Sequence, residues 1–449
     1  MADRLAATGI LLVGGASERF GSPKALALFR GETLAERGWR TLSEMCAEVL
    51  AVGKNVDGLE LPFPLVDDGT EARAPVHGLV AGLRAASYDL CLALPVDCPL
   101  VTPDLLRELA DARAVPHTGP LPGAYNRSLL PELELRIAAG ELSLRGLNPR
   151  VLELDERLLT NVNTRMDLVA AAVADWAQAR SDVHAVVVVG SQARSDTPAD
   201  RWSDLDVFLV VDDPEPYVAQ ESWVAEFGSP VITFLEQTAL GDERERRVLY
   251  ETGEDVDLPL VPLSALDRLE VAAQLLARGY RVLVDKIGLE ERLRRLAAGV
   301  TSTTVPTQHE LTELASDFWY HALWTAKKLR RGEVFIAKEC LDAYMKARLV
   351  RLMGWHARAV DPSVDTWHGG RFLERWADPG ALAALESAYA QYSLRDVARA
   401  LWETIDLFQG LEEETARRLG LELELDHADL RRRVAEVVPD PRRGSTLSP

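Results

Sequence analysis

Little in this 449-residue chain points to a secreted, membrane or metal-finger protein. Cysteine is scarce: Cys46, Cys91, Cys98 and Cys340 are the only four, and their spacing matches no metal-ligand pattern. Cys91 and Cys98 flank an apolar strand-like run, so reduced core thiols in a cytosolic setting are expected rather than a disulfide framework. The eight histidines are scattered, with no HExxH-type spacing to hold zinc. No apolar run approaches the ~20 residues that cross a bilayer, so no membrane association is expected. The early run Gly9–Val13 is too short for a signal-peptide core and meets Gly14-Gly15 at once. An excess of basic residues is also missing: 50 Lys and Arg stand against 70 Asp and Glu, a net charge of −20. Phosphate backbones need basic surface, so nucleic acid is not expected as a partner. A cationic small molecule would suit the acidic balance. No internal repeat is present.

What is there divides by periodicity, and the length alone predicts two or three domains. Strand-like runs at Thr8–Val13, Glu48–Val52 and Leu90–Leu94 alternate with amphipathic stretches at Leu34–Ala47 and Val76–Ala86. That alternation predicts an α/β unit, a parallel sheet covered by helices. A helix over Met166–Arg180 leads into a second unit. There Val186–Val189, Val207–Val211, Val231–Phe234 and Val256–Val261 predict a mixed sheet with few helices, an α+β unit. From Leu289 to Val438 helical spacing takes over, notably in Ala315–Arg330 and Ala337–Trp355, and predicts an all-α unit. The Pro-, Arg- and Ser-rich tail is expected to be disordered. The expected boundaries are 1–175, 183–285, 286–438 and a tail at 439–449.

Two strings carry chemistry. Gly190-Ser191 closes the apolar run Ala185–Val189 and offers backbone N–H groups and a hydroxyl to phosphate oxygens. Asp204 and Asp206 are one residue apart at the next strand and face the same way, because side chains alternate with period two. Asp257, on a further strand, would complete a carboxylate cluster. Hard oxygen ligands of this kind suit Mg²⁺ carrying a nucleoside triphosphate. A second Gly-rich turn, Gly14-Gly15, follows the first strand; there Arg19 and Lys24 would clamp phosphate.

The string GSQARSDTPADRWSDLDVFLVV resembles the GSR-x-N…D-x-x-x-D-Y-D-I block of the DNA polymerase β-like nucleotidyltransferases, and more narrowly of aminoglycoside 6-adenylyltransferases. Arg247–Leu263 is similar to that family's M-L-F-E-D-G-x-x-I-D-L-T-L-I-P-L block. Asp317-Phe318-Trp319-Tyr320 resembles its E-F-W-x helix. Departures are Gln192 for arginine, Leu205 for tyrosine and Asp317 for glutamate. The resemblance covers about 184–425 and implies in-line attack of an acceptor hydroxyl on the α-phosphorus of ATP, with pyrophosphate leaving. It implies that Asp204 and Asp206 hold Mg²⁺, that Gly190 and Ser191 grip the terminal phosphates, and that Asp257 is a metal ligand or the general base. A streptomycin-like polycation would pair with Asp317. Trp319 and Trp324 would wall its pocket or pack in a core. An endogenous sugar or natural product is the alternative acceptor.

The Leu11–Lys24 string resembles the L-x-G-G-x-S-x-R-M-G-x-x-K signature of MobA-like nucleotidyltransferases. Leu94–Leu100 is similar to that family's C-D-x-P strand end, and Asn161–Leu168 to its closing N-x-N-T-P-E-D-L. Together they cover about 8–170 and imply a Rossmann-like fold, with Gly14, Gly15, Arg19 and Lys24 binding nucleotide and Asp97 binding Mg²⁺. GTP or CTP would be the nucleotide and a phosphate-bearing molecule the acceptor. Asp67 or Asp68 would contact the base. Ala74–Gly82 stands for the family's G-P-L-A-G segment, with its leading glycine lost and His77 in the register. A non-catalytic nucleotide-binding module is the alternative for this unit.

Overall fold

β-Branched and leucine-rich runs set the first sheet. The strands are β1 (Leu5–Leu12), β2 (Cys46–Gly53), β3 (Leu65–Asp67), β4 (Leu90–Pro95) and β5 (Gly123–Asn126). Their order is β3-β2-β1-β4-β5; the first four are parallel and β5 is antiparallel to β4. Helices α1 (Leu34–Met45), α2 (Pro75–Ala85) and α3 (Pro103–Ala112) lie in the connections between them, and α4 (Leu130–Ala138) follows β5. The computed structural model describes residues 4–14, 20, 23–147, 150–194, 199–238, 243–300, 305–366 and 368–443. In it the chain divides into two units, Met1–Val300 and Thr301–Pro449.

Helix α5 (Arg165–Gln178) starts from a capping box in which Thr164 and Asp167 satisfy each other's backbone N–H groups. Leu168 to Ala174, Trp176 and Ala177 are all buried, so the helix has almost no polar face. A helix that is apolar all round must be covered on all sides. It is: one core runs from Leu11 and Leu105 of the first sheet layer through α5 to Val186, Leu209 and Leu258 of a second sheet. Trp176 sits within 6 Å of the rings of Tyr217, Trp223 and Phe227. The expected boundary at 175–183 therefore falls inside the first unit, which extends to Val300.

The second sheet contains β6 (Val183–Val189), β7 (Leu205–Val211), β8 (Pro230–Gln237), β9 (Arg244–Tyr250), β10 (Asp255–Pro262) and β11 (Arg281–Asp285). Its order is β8-β9-β10-β7-β6-β11, with β7 and β10 parallel and the other pairs antiparallel. Sequence periodicity missed β9 because it reads RERRVLY, four charges in a row. Arg246 is nevertheless buried, and its guanidinium donates to the Val218 carbonyl at 2.6 Å. Helix α6 (Leu289–Ala298) closes the unit.

Among the described residues of the second unit, every assigned element is helical: α7 (Gln308–Arg330), α8 (Val334–Glu339), α9 (Lys346–Val360), the short Leu373–Trp376, α10 (Pro379–Ala388), α11 (Leu394–Leu419) and α12 (His427–Val437), with single turns besides. A π-helical turn, Cys340–Met345, interrupts what the sequence predicts as one helix over Ala337–Trp355. Phe318 of α7 stacks on Phe408 of α11 with ring centroids 3.7 Å apart. Part of the tail expected to be disordered is held instead. Arg442 pairs with Asp440, with Glu403 at 3.1 Å and with Asp406 at 2.8 Å; residues 444–449 lie outside the described residues. All four cysteines are buried and free, and burial pushes the Cys46 and Cys91 thiols up to about 12. Among the described residues, no helix is long and apolar enough to cross a membrane.

Candidate active site

The parallel pairing of β7 and β10 sets Asp206 opposite Asp257, and Asp204 stands one residue ahead of β7. The three carboxylates converge: one oxygen from each lies within 4.8 Å of the others. On the other side β6 pairs with β7, Val189 opposite Asp206, and delivers Gly190 to the cluster. Gly190 has φ +66°, and a Cβ there would collide with Asp206 Oδ2, so only glycine leaves room for the carboxylate. The Ser191 hydroxyl and the Gln192 amide each donate to the Asp204 carbonyl at 3.3 Å. Both side chains thus brace the approach to the aspartates, and Gln192 does so without the charge of the arginine found in the family.

Burial, then the charges of Asp204 and Asp257, push the Asp206 carboxyl up to about 7. Burial likewise pushes Asp257 up to about 7, against the pull of Arg247. Asp257 is 4% exposed, and its Oδ1 is buried with no hydrogen-bond partner. A buried, unsatisfied carboxylate oxygen inside a cluster of like charges is what a divalent cation would relieve. The all-oxygen donor set fits Mg²⁺, which Asp204, Asp206 and Asp257 could hold. Sequence reasoning missed Arg247 and Glu245. Their i, i+2 spacing on the strand opposite Asp257 is the one signal that could have found them.

A cavity of about 580 Å³ opens where β1, β2 and β4 end, the carboxyl edge at which open parallel sheets bind ligands. Gly14, Lys24, Lys54, Asp68, Asp97 and Asn163 are among its lining residues. Lys24 Nζ donates to Asp97 Oδ2 at 3.0 Å and to Asn163 Oδ1 at 3.4 Å. The Val162 N–H donates to the Asp97 carbonyl at 2.8 Å, which ties the closing motif to the end of β4. Gly15 and Arg19 lie outside the described residues. Of the two base-contact candidates, Asp68 lines the cavity, while Asp67 is exposed and accepts from the Gly69 N–H. Lys54, missed from the sequence, is 4% exposed and donates to both Asp68 oxygens, at 2.9 and 2.8 Å.

In the second unit Asp317 borders a cavity of about 520 Å³ together with Glu310, Glu313, Arg348 and Arg351. It accepts from Arg348 Nε at 2.7 Å and from the Tyr344 hydroxyl at 3.1 Å. Burial alone would raise its pKa, but these donors and nearby His321 hold it below the usual carboxylate range. Trp319 is a correction to the expected pocket wall. It is 2% exposed, edge-on to Phe318 and 5.5 Å from the His427 ring, because its side of α7 faces the helical core. Trp324 is half-buried against the same core.

The family described as streptomycin adenylyltransferase matches residues 164–435, and the MobA-like NTP transferase domain matches 9–147. A probable molybdenum cofactor guanylyltransferase of Pelotomaculum thermopropionicum is 31% identical over 191 residues, covering 38% of this chain and 93% of its own length. An aminoglycoside 6-adenylyltransferase of Bacillus subtilis is 23% identical over 242 residues, covering 52% of this chain and 84% of its own. The crystal structure of an aminoglycoside 6-adenyltransferase from Bacillus subtilis aligns with 61% of this chain and 98% of its own, at 18% identity and a TM-score of 0.31.

Proposed function

The chain belongs to the streptomycin adenylyltransferase family and is a nucleotidyltransferase with a MobA-like domain fused ahead of it; on that premise we propose that its carboxylate site transfers AMP from ATP to a hydroxyl of an aminoglycoside, streptomycin-like, with release of pyrophosphate. The observation that carries this reading is the Asp204–Asp206–Asp257 cluster beside the Gly190 turn. Mg²⁺, when bound, would neutralise the triphosphate and orient the leaving pyrophosphate. Gly190 keeps the backbone close to the phosphates, and Ser191 and Gln192 fix the approach to Asp204. Asp257, in the same cluster, is either a further ligand of that cation or the base that takes the proton from the attacking hydroxyl. Arg348 already pairs with Asp317, and Glu310 accepts from Thr307 at the start of α7, so Glu313 is the carboxylate on the same cavity proposed to meet an acceptor's cations. A cytoplasmic enzyme of this kind would raise resistance to streptomycin. The test is Asp204→Asn: pyrophosphate release from ATP plus streptomycin should fall by roughly 10²-fold or more, and an unchanged rate would sink the metal site.

For the first domain the reading is nucleotidyl transfer to a phosphorylated acceptor, with Asp97 holding Mg²⁺ and Lys24 the phosphates. The guanylyltransferase names of its relatives favour GTP over CTP. Four nucleoside triphosphates assayed against a panel of aminoglycosides and phosphorylated acceptors would separate the two domains. Pyrophosphate release with GTP that needs Lys24 but not Asp204 is the expected result for the first.

A further inference from the structure

Three carboxylates that repel one another surround the proposed transfer site, and a cation of the chain itself is built against them. Arg247 stands directly opposite Asp257 in the antiparallel pairing of β9 with β10. Its Nη2 lies 3.3 Å from Asp257 Oδ2. The guanidinium is anchored from behind: Nε donates to Glu245 Oε1 at 3.0 Å, and Nη2 is 2.9 Å from the same carboxylate. Glu236 Oε2, from β8, is 2.7 Å from Nε. Glu245 is only 8% exposed and lies two residues before Arg247, on the same face of the strand. A planar fork fixed on a buried carboxylate has little freedom to swing, so the charge it holds 3.3 Å from Asp257 is fixed in place.

That ion pair lies against one oxygen of Asp257 and leaves the other, Oδ1, buried and without a hydrogen-bond partner. The aspartate χ2 torsion is intrinsically broad, so without such a donor the two oxygens would exchange places and the carboxylate would turn toward any neighbouring cation. We propose that Arg247, seated on Glu245, is a positioning residue for Asp257: it lies against Oδ2 and thereby presents Oδ1 to the acceptor hydroxyl. The proposal rests on the transfer reading above and adds to it the group that sets the geometry of the third aspartate. It has a consequence that a purely structural arginine would not share. A positive charge beside the cluster opposes cation binding, so removing it should leave cation affinity intact or tighter while turnover falls. An arginine that merely held β9 to β10 would, on removal, loosen both.

The test compares Arg247→Ala, Arg247→Lys and Glu245→Gln in the full chain. Mn²⁺ binding is measured without substrates, and pyrophosphate release is measured with ATP and streptomycin. For Arg247→Ala, kcat is expected to fall roughly 10- to 100-fold, as a misplaced catalytic group costs. Its KM for ATP should stay within about 3-fold and Mn²⁺ affinity should be equal or tighter. Arg247→Lys, which keeps the charge but not the fork seated on Glu245, should recover kcat only in part, and Glu245→Gln should fall between wild type and Arg247→Ala. An unchanged kcat in Arg247→Ala, or Mn²⁺ affinity lost in step with kcat, overturns the proposal. If the wild-type chain releases no pyrophosphate, the transfer reading fails while the Mn²⁺ arm still decides on Arg247: weaker binding in Arg247→Ala rejects it.

Discussion

Asp206 and Asp257 are residues on which burial and like charge act together. Each would ionise near 3.8 in an unfolded chain and is pushed up to about 7 in the fold, as a coupled pair. The folded state therefore holds protons that the unfolded state has released. The associated stability is full below about pH 4 and is lost as pH rises through about 7. A divalent cation reverses that penalty where it is largest. Mg²⁺ should accordingly raise Tm more at pH 8 than at pH 5.5; equal increments in paired buffers would contradict the carboxylate site. Gly190→Ala tests the same cluster sterically. The fold should persist, but activity and Mn²⁺ affinity should drop by roughly 10²-fold, because the added Cβ displaces the Asp206 carboxylate. Trp319→Ala should cost about 3–5 kcal/mol in denaturant unfolding, as a buried Trp does, whereas Trp319→Phe should leave the KM for streptomycin unaltered.

At the level of elements, apolar periodicity made most strands and long helices legible. β1, β4, β7 and β10 fall where valine and leucine runs placed them, since a strand buried on both faces must be continuously apolar. β9 was not legible. Its charged residues are kept by partners outside the strand: Arg246 by the Val218 carbonyl and Arg247 by Glu236 and Asp257. Such partners leave no mark in a local window. The tail failed for a similar reason, because only folding brings Glu403 and Asp406 to Arg442. The start of α5, by contrast, was written locally in Thr164 and Asp167. Thr164→Ala should cost about 1 kcal/mol of stability in urea titration, through loss of the N-cap.

At the scale of the molecule, α5 is an element the family match at 164–435 starts with and the first sheet's core also uses. Its apolar surface joins one face of each sheet of residues 1–300 in a shared core, while each sheet keeps a smaller core on its other face. A protein starting at Val183 would uncover the face that α5 closes, and it should aggregate or bind a hydrophobic dye where the full chain does not. A soluble, two-state product would argue that the sheets are independent. The sequence by itself determined the nucleotidyltransferase class, through two family signatures carried by short strings, and supplied the glycine turns and three aspartates proposed as its site. Only the tertiary structure decided that Arg247 faces Asp257, that Trp319 is core, that Asp317 is already paired, and that one helix serves two sheets. Those facts depend on contacts between residues far apart in the chain, which form only when buried surface brings them together.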